Sequence, residues 1–235
     1  MRITTLTAAA LALSTAAVLP ADAALFRVDV TGINDSGVSG VVNLDYDPTT
    51  MMLTVDGMIE GLEAGQPHVQ HIHGRFDGPD GLDGNPIDSV SPTAAQDLEA
   101  NGGDGDGFVE INEGFSQYGP VILALNAANG APDGAFPEAT DGTTSFDFTY
   151  DLSADAAGDL NDGYQPSDLF PLELREFVIH GGTVPAGVSD SLPDGGYLAT
   201  LPVGVGDVNA VPLPAPALLL LAGLGGLGLA ARRRA

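Results

Sequence analysis

Val38-Ser39-Gly40-Val41-Val42-Asn43-Leu44-Asp45-Tyr46, followed beyond Asp47-Pro48-Thr49-Thr50 by Met52-Leu53-Thr54-Val55-Asp56-Gly57-Met58-Ile59, is a pair of period-two segments flanking a turn-forming cluster. Successive side chains on a strand point to opposite faces, so this alternation describes two strands with one dry and one wet side. Comparable segments run Leu25 to Val30, Val69 to Phe76, Phe108 to Ile111, Val121 to Asn126, Thr144 to Leu152, Leu174 to His180 and Tyr197 to Val203. Short strands separated by Asp, Gly, Pro and Asn clusters predict an all-β, antiparallel sandwich or barrel. Only Pro92 to Ala100 shows a hint of helical period. The longest irregular insertion runs from Asp77 to about Gly107, and a loop of that length on a compact β domain points to function or metal ordering.

The 235 residues hold 32 acidic side chains against 7 basic ones, all arginine, with 32 glycines, 17 prolines, no cysteine and no tryptophan. A hydrophobic share of 44% builds a core, so the Gly and Pro content reads as turns within one modest domain and not as disorder. Without cysteine there is no disulfide and no thiolate metal site. A net charge of -25 opposes nucleic acid and anionic lipid, which need clustered Lys and Arg, and favours divalent cations as partners.

Both ends read as addresses. Residues 1–23 place Arg2 before an apolar run from Leu6 to Leu19, then Pro20 and Ala21-Asp22-Ala23, the pattern of a cleavable signal peptide. At the other end, in residues 211–235, Val211-Pro212-Leu213-Pro214-Ala215 leads into an apolar stretch closed by Arg232, Arg233 and Arg234. From Val211 to Ala231 the length suffices for a transmembrane helix, and the arginines should stay cytoplasmic. This tail resembles the bacterial PEP-CTERM sorting signals of the VPLPA variety. The resemblance implies a protein exported to the cell envelope or surface, anchored in the membrane by that helix until a sorting peptidase cuts it. A retained anchor is the alternative. The domain between, residues 24–210, keeps only Arg27, Arg75 and Arg175 as basic side chains.

Of four histidines, His68, His71 and His73 lie in Pro67-His68-Val69-Gln70-His71-Ile72-His73-Gly74, and His180 lies far downstream in Phe177-Val178-Ile179-His180-Gly181. On a strand His71 and His73 share a face with Val69 and Arg75, while Ile72 and Phe76 point to the core. His68 is out of phase and would serve less well as a further ligand of the same ion, unless the strand begins after it. His180 is the remaining candidate for a third ligand. Imidazole sites without thiolate suit copper or zinc, copper being the tighter. The competing reading is a hydrogen-bonded surface cluster beside a Gly turn.

The segment from Val38 to Gly74, with Gly40 to Tyr46, Met52 to Gly57, Gly61-Leu62 and His71-Ile72-His73-Gly74, resembles the CHRD domain first described in chordin. It is more similar still to bacterial exported relatives with a His-x-Gln-His-Ile-His-Gly motif, an Asn-Gly-Asp-Gly loop, a Tyr-Gly-Pro strand start and a late Val-x-His-Gly. The last three correspond here to Asp104-Gly105-Asp106-Gly107, Tyr118-Gly119-Pro120 and Val178-Ile179-His180-Gly181. The likeness spans most of residues 38–203 and implies a β-sandwich module of extracellular proteins. A weaker likeness runs to copper/zinc superoxide dismutase, an immunoglobulin-like sandwich that binds copper through a His-x-His pair and a distant His; onto it only His71, His73 and His180 carry over. The bridging His and the cysteine pair of that family are missing, and Arg75 or Arg175 would have to serve as its guiding arginine.

Asn101 to Glu113 can be laid on the calcium-loop pattern with Gly107 sixth. Asp104 and Asp106 then fall third and fifth, Phe108 offers its carbonyl seventh and Glu113 supplies the bidentate oxygen. Gly102 stands where an Asp is expected, which weakens the match. Asp77, Asp80, Asp83 and Asp88 read first as turn residues. No phosphate loop, nucleophile elbow or acid–base pair is visible. The leading expectation is a non-catalytic, exported, surface-sorted protein that binds copper or zinc, with calcium ordering the 101–113 loop. A copper-dependent, dismutase-like oxidoreductase and a metal-free matrix or adhesion module are the alternatives.

Overall fold

The computed structural model describes residues 24–127, 135–153, 160–161, 163–189 and 192–212. The expected signal peptide and residues 213–235 of the expected sorting tail lie outside them. Among the described residues no helix is long and apolar enough to cross a membrane.

Among the described residues ten strands carry the fold: β1 (Ala24–Gly32), β2 (Ser39–Asp47), β3 (Met52–Glu60), β4 (Gln70–Phe76), β5 (Pro86–Ile87), β6 (Val121–Ala124), β7 (Thr143–Asp151), β8 (Arg175–Val184), β9 (Gly196–Asp207) and β10 (Asn209–Ala210). The α-helices among the described residues are short, α1 (Ile111–Tyr118) and α2 (Pro166–Leu169). The pairings among these strands are antiparallel, and the order is β5-β4-β8-β9-β1-β2-β3-β7, with β6 added on β4 and β10 on β1. The protein is all-β.

The seam between the halves is short: β1 meets β9 only at Thr31↔Val205 and Gly32↔Gly204. A Cβ on Gly204 would stand within 3.0 Å of Val30, Val38 and Ile179 side chains, so glycine is what lets the valines of β1 and its neighbour reach across β9. Around this seam the ribbon folds over itself in a sandwich-like way. One core gathers Val28, Leu44, Val55 and Tyr150 from β1-β2-β3-β7 together with Ile72, Phe177, Ile179 and Val203 from β4-β8-β9. In β1, β2 and β3 the alternation is plain: Phe26, Val28, Val30, Val42, Leu44, Leu53 and Val55 are buried, while Arg27, Asp29, Asn43, Asp45 and Asp56 face water. Burial of each large aliphatic contributes roughly 1.5–3 kcal/mol.

β8 departs from alternation, with nine of its ten residues buried. Its second face is covered by the chain between β5 and β6. There Ile33, Val109, Tyr118, Val178 and Val205 form a second, smaller core, next to which the histidines sit.

Two expected elements are replaced. Phe108 to Ile111 is not a strand: the Val109 N–H is donated to Asn34 Oδ1 at 2.8 Å and the Phe108 N–H to Asp106 Oδ1 at 2.9 Å. Glu110 and Glu113 then form a capping box that opens α1. Pro92 to Ala100 is not an α-helix but a series of turns ending in one 3-10 turn, Glu99–Asn101. Thr93 donates its N–H (2.7 Å) and hydroxyl (3.1 Å) to Gln96 Oε1, and Ala95 N–H goes to Thr93 Oγ1 (3.3 Å), local bonds that compete with a helix ladder. In the 77–85 stretch Asp77 accepts both Asn85 N–H and Asn85 Nδ2, at 2.7 and 3.0 Å, as a turn residue does.

Candidate metal centre

Register brings the distant histidine home. In the β4–β8 ladder Gln70 pairs with Ile179 and His71 with Val178, and the His180 N–H is donated to Val69 O at 2.7 Å. His180 therefore stands opposite Val69 and shares its face with His71 and His73, diagonal to His71, within reach for long side chains. The β8–β9 register shifts on both sides of His180, a bulge of the kind that re-aims a side chain. Gly181, at φ 112°, allows it: a Cβ there would collide with Tyr197 Oη and sit 3.0 Å from His68 Nδ1.

His71, His73 and His180 each present a ligand nitrogen, and these atoms all lie within 4.8 Å of one another. Their ring centroids are 5.5 Å (71–73), 5.5 Å (71–180) and 6.0 Å (73–180) apart. His73 and His180 are buried, at 4% and 2% exposure. His73 Nδ1 lies 2.8 Å from Gly119 O and His180 Nδ1 lies 2.8 Å from Thr200 O. A carbonyl only accepts, so each Nδ1 must carry the proton and each Nε2 keeps its lone pair. Both Nε2 atoms are buried without a hydrogen-bond partner, as is His71 Nδ1. Leaving such groups unsatisfied costs about 1–3 kcal/mol each, and a cation can satisfy these two lone pairs together with the third imidazole. A backbone carbonyl holding the far ring nitrogen is the support that metal-bound histidines receive.

Electrostatics agree. Burial first, then the His180 ring, holds His73 down at about 3, against the opposing bond to Gly119. Burial holds His180 at about 4. His71 is pushed well below the ordinary value by burial and by His180 and His73. All three rings are neutral at pH 7, the form in which imidazole ligates.

His68 stands apart. It is fully buried, with Nδ1 3.1 Å from His180 O and Nε2 3.0 Å from Glu63 O. Both ring nitrogens face backbone carbonyls, so it braces the β8 bulge and is not one of the cluster.

Three partners of the cluster carried no signal in the histidine spacing. Tyr118 packs its ring on His73 at 4.7 Å while its hydroxyl donates to Ile111 O at 3.0 Å. Phe136 lies edge-on to His71 at 5.6 Å. Glu176, the β8 residue paired with His73, is fully buried and accepts a hydrogen bond from Ser91 Oγ. Burial and the neighbouring Asp207 push its carboxyl up to about 9, so it is neutral at pH 7. Neither candidate guiding arginine lines the histidine pocket. Arg75 donates to Asp88 O at 3.1 Å. Arg175 is fully buried, donates to Leu169 O (3.1 Å) and Asp168 O (2.9 Å), and lies over Phe76.

The acidic loop gathers differently from the twelve-residue pattern. Asp104 groups with Asp97 and Glu113, and also with Asp106 and Glu110. Glu113 accepts the Asp104 and Glu110 N–H groups at 2.9 and 3.2 Å, and Asp104 accepts that of Asp106 at 3.1 Å. These carboxylates thus serve as turn and cap acceptors. Burial, then Asp106, Glu113 and Asp104, push Glu110 up to about 7. The fold holds that proton more tightly than the unfolded chain, so stability falls as pH rises from about 4.5 through 7. Glu110→Gln should therefore stabilise the protein at pH 8 by under about 1 kcal/mol after solvent screening, and by nothing at pH 4. Urea midpoints at the two pH values check it.

No protein-family model matches this chain, and no curated protein matches it.

Proposed function

We propose that this chain is an exported, surface-sorted protein of CHRD-like, immunoglobulin-like sandwich type that holds one transition-metal ion through His71, His73 and His180, without catalysing a reaction. The observation that carries the reading is the pair of buried Nε2 lone pairs on His73 and His180, each with its tautomer set by a backbone carbonyl, beside the unpartnered Nδ1 of His71. Copper is favoured over zinc by the all-imidazole donor set and the Irving–Williams order. Calcium in the 101–113 region is a weaker part of the proposal, supported by the two carboxylate groupings there.

Elemental analysis of tag-free protein tests it. About one copper or zinc per chain is expected after dialysis against excess metal, and none in His71→Ala; a metal-free wild type would favour the matrix or adhesion reading. The dismutase-like alternative draws on the same three histidines, but a pocket without a cationic side chain and a charge of -25 oppose the approach of an anion. Copper-loaded protein should show no superoxide dismutation above its His71→Ala control.

A further inference from the structure

His71, His73 and His180 form part of the wall of a pocket of about 290 Å3. The rest is mostly apolar: Ile111, Phe115 and Tyr118 from α1, then Pro120 and Val121, and Ala199 from β9. Its polar neighbours are already engaged. The Tyr118 hydroxyl is tied to Ile111 O, Asn161 Nδ2 donates to Val121 O at 3.2 Å, and Thr200 O is taken by His180. Among the described lining residues, the buried side-chain atoms left without a hydrogen-bond partner are the nitrogens of the three histidines.

An apolar cavity of roughly half this volume, about 150 Å3, takes benzene. This pocket has room for one ring with a substituent. Charge narrows the guest further. None of the described lining residues is cationic, and a neighbouring basin that shares Ile111 and Thr200 with the pocket is lined by Asp104, Glu110 and Glu113. A small anion would pass that acidic rim and then shed its hydration against hydrocarbon. A sugar or peptide would find too few hydrogen-bonding groups. Three histidines leave at least one coordination position of a tetrahedral ion for an outside donor.

We infer that the pocket binds an uncharged, ring-sized organic molecule that carries one nitrogen or oxygen donor, placing the donor at the histidine cluster and the ring against α1 and β9. This rests on the metal-centre reading above.

Phenylimidazole, imidazole and azide are the probes, titrated at pH 8 into Cu2+-loaded chain freed of excess metal and followed by visible absorption. Phenylimidazole is expected to bind at least about ten-fold more tightly than imidazole, because only its phenyl group buries further apolar area. Azide should leave the spectrum unchanged. Ala199→Trp and, independently, Val121→Phe fill the pocket and should erase the margin between the two imidazoles. Equal affinities for the imidazoles, a margin that survives both variants, or azide binding more tightly than phenylimidazole would overturn the inference. Failure of the metal reading shows separately, as copper not retained by elemental analysis. In that event ligand-observed NMR on the metal-free chain still decides: preference for phenylimidazole supports the pocket assignment, and no preference overturns it.

Discussion

Replacing His180 with alanine should lower affinity for Cu2+ or Zn2+ by at least about 100-fold, with His73→Ala of similar size and His68→Ala within a few-fold of wild type. Removing an outer hydrogen bond from a metal site costs about 10–100-fold, and His180→Ala removes a ligand together with its carbonyl support from Thr200. His68 offers the control, since its nitrogens face His180 O and Glu63 O and not the cluster. Losing it should cost stability by loosening the β8 bulge, not metal. Competition titration with a chelator of known affinity reads the metal term, and urea unfolding of the metal-free chains reads the other. Equal losses of affinity for His68→Ala and His180→Ala would show that the cluster is not the site.

The strands around Asn43 and Asp56 were legible because each has one wet face, and a period of two writes itself directly into residue type. β8 was harder. Both its faces are covered, so Phe177, Val178 and Ile179 run on without alternation, and only their apolar, β-branched character marks a strand. α1 was invisible for a local reason. Phe108-Val109-Glu110-Ile111 has strand-like residues, and the capping box of Glu110 and Glu113 that overrules them was hidden behind a calcium-loop reading of the same glutamate. Sequence spacing could pair His71 with His73 because strand geometry is fixed. That His180 joins them depends on the β4–β8 register, which no local pattern specifies. His68, a poorer but retained member of the ligand set on sequence grounds, stands outside the cluster because its two nitrogens face the carbonyls of His180 and Glu63. Gly119 O and Thr200 O, which fix the tautomers, are backbone atoms and leave no trace in side-chain chemistry.

Metal-free Glu176→Gln protein should lose about 4 kcal/mol of stability between pH 8 and pH 5 that the wild type keeps. His73 and His180 are held at about 3 and about 4 in the fold, whereas in the unfolded chain they titrate near 6.5. Below that pH the unfolded state binds more protons, so stability is complete above about 6.5 and drains away as pH falls toward 4. At pH 5 each ring accounts for about 2 kcal/mol at 1.36 kcal/mol per pH unit, and His71 adds in the same direction. Glu176 works in the opposite sense on the same sheet face. Its carboxyl stands at about 9 in the fold, so between roughly 4.5 and 9 the folded state binds the extra proton and stability rises as pH falls. Over pH 8 to 5 that gain is also about 4 kcal/mol, with a smaller, screened gain of the same sign from Glu110. The wild-type profile should therefore fall much less steeply toward pH 5 than that of the variant, and glutamine at 176 should raise stability at pH 8 while uncovering the full histidine slope. Urea unfolding in chelator at both pH values measures it; parallel profiles for the two proteins would mean that Glu176 is ionised in the fold. Saturating Cu2+ should flatten the Glu176→Gln profile again, since nitrogens committed to an ion compete with protons for the same lone pairs.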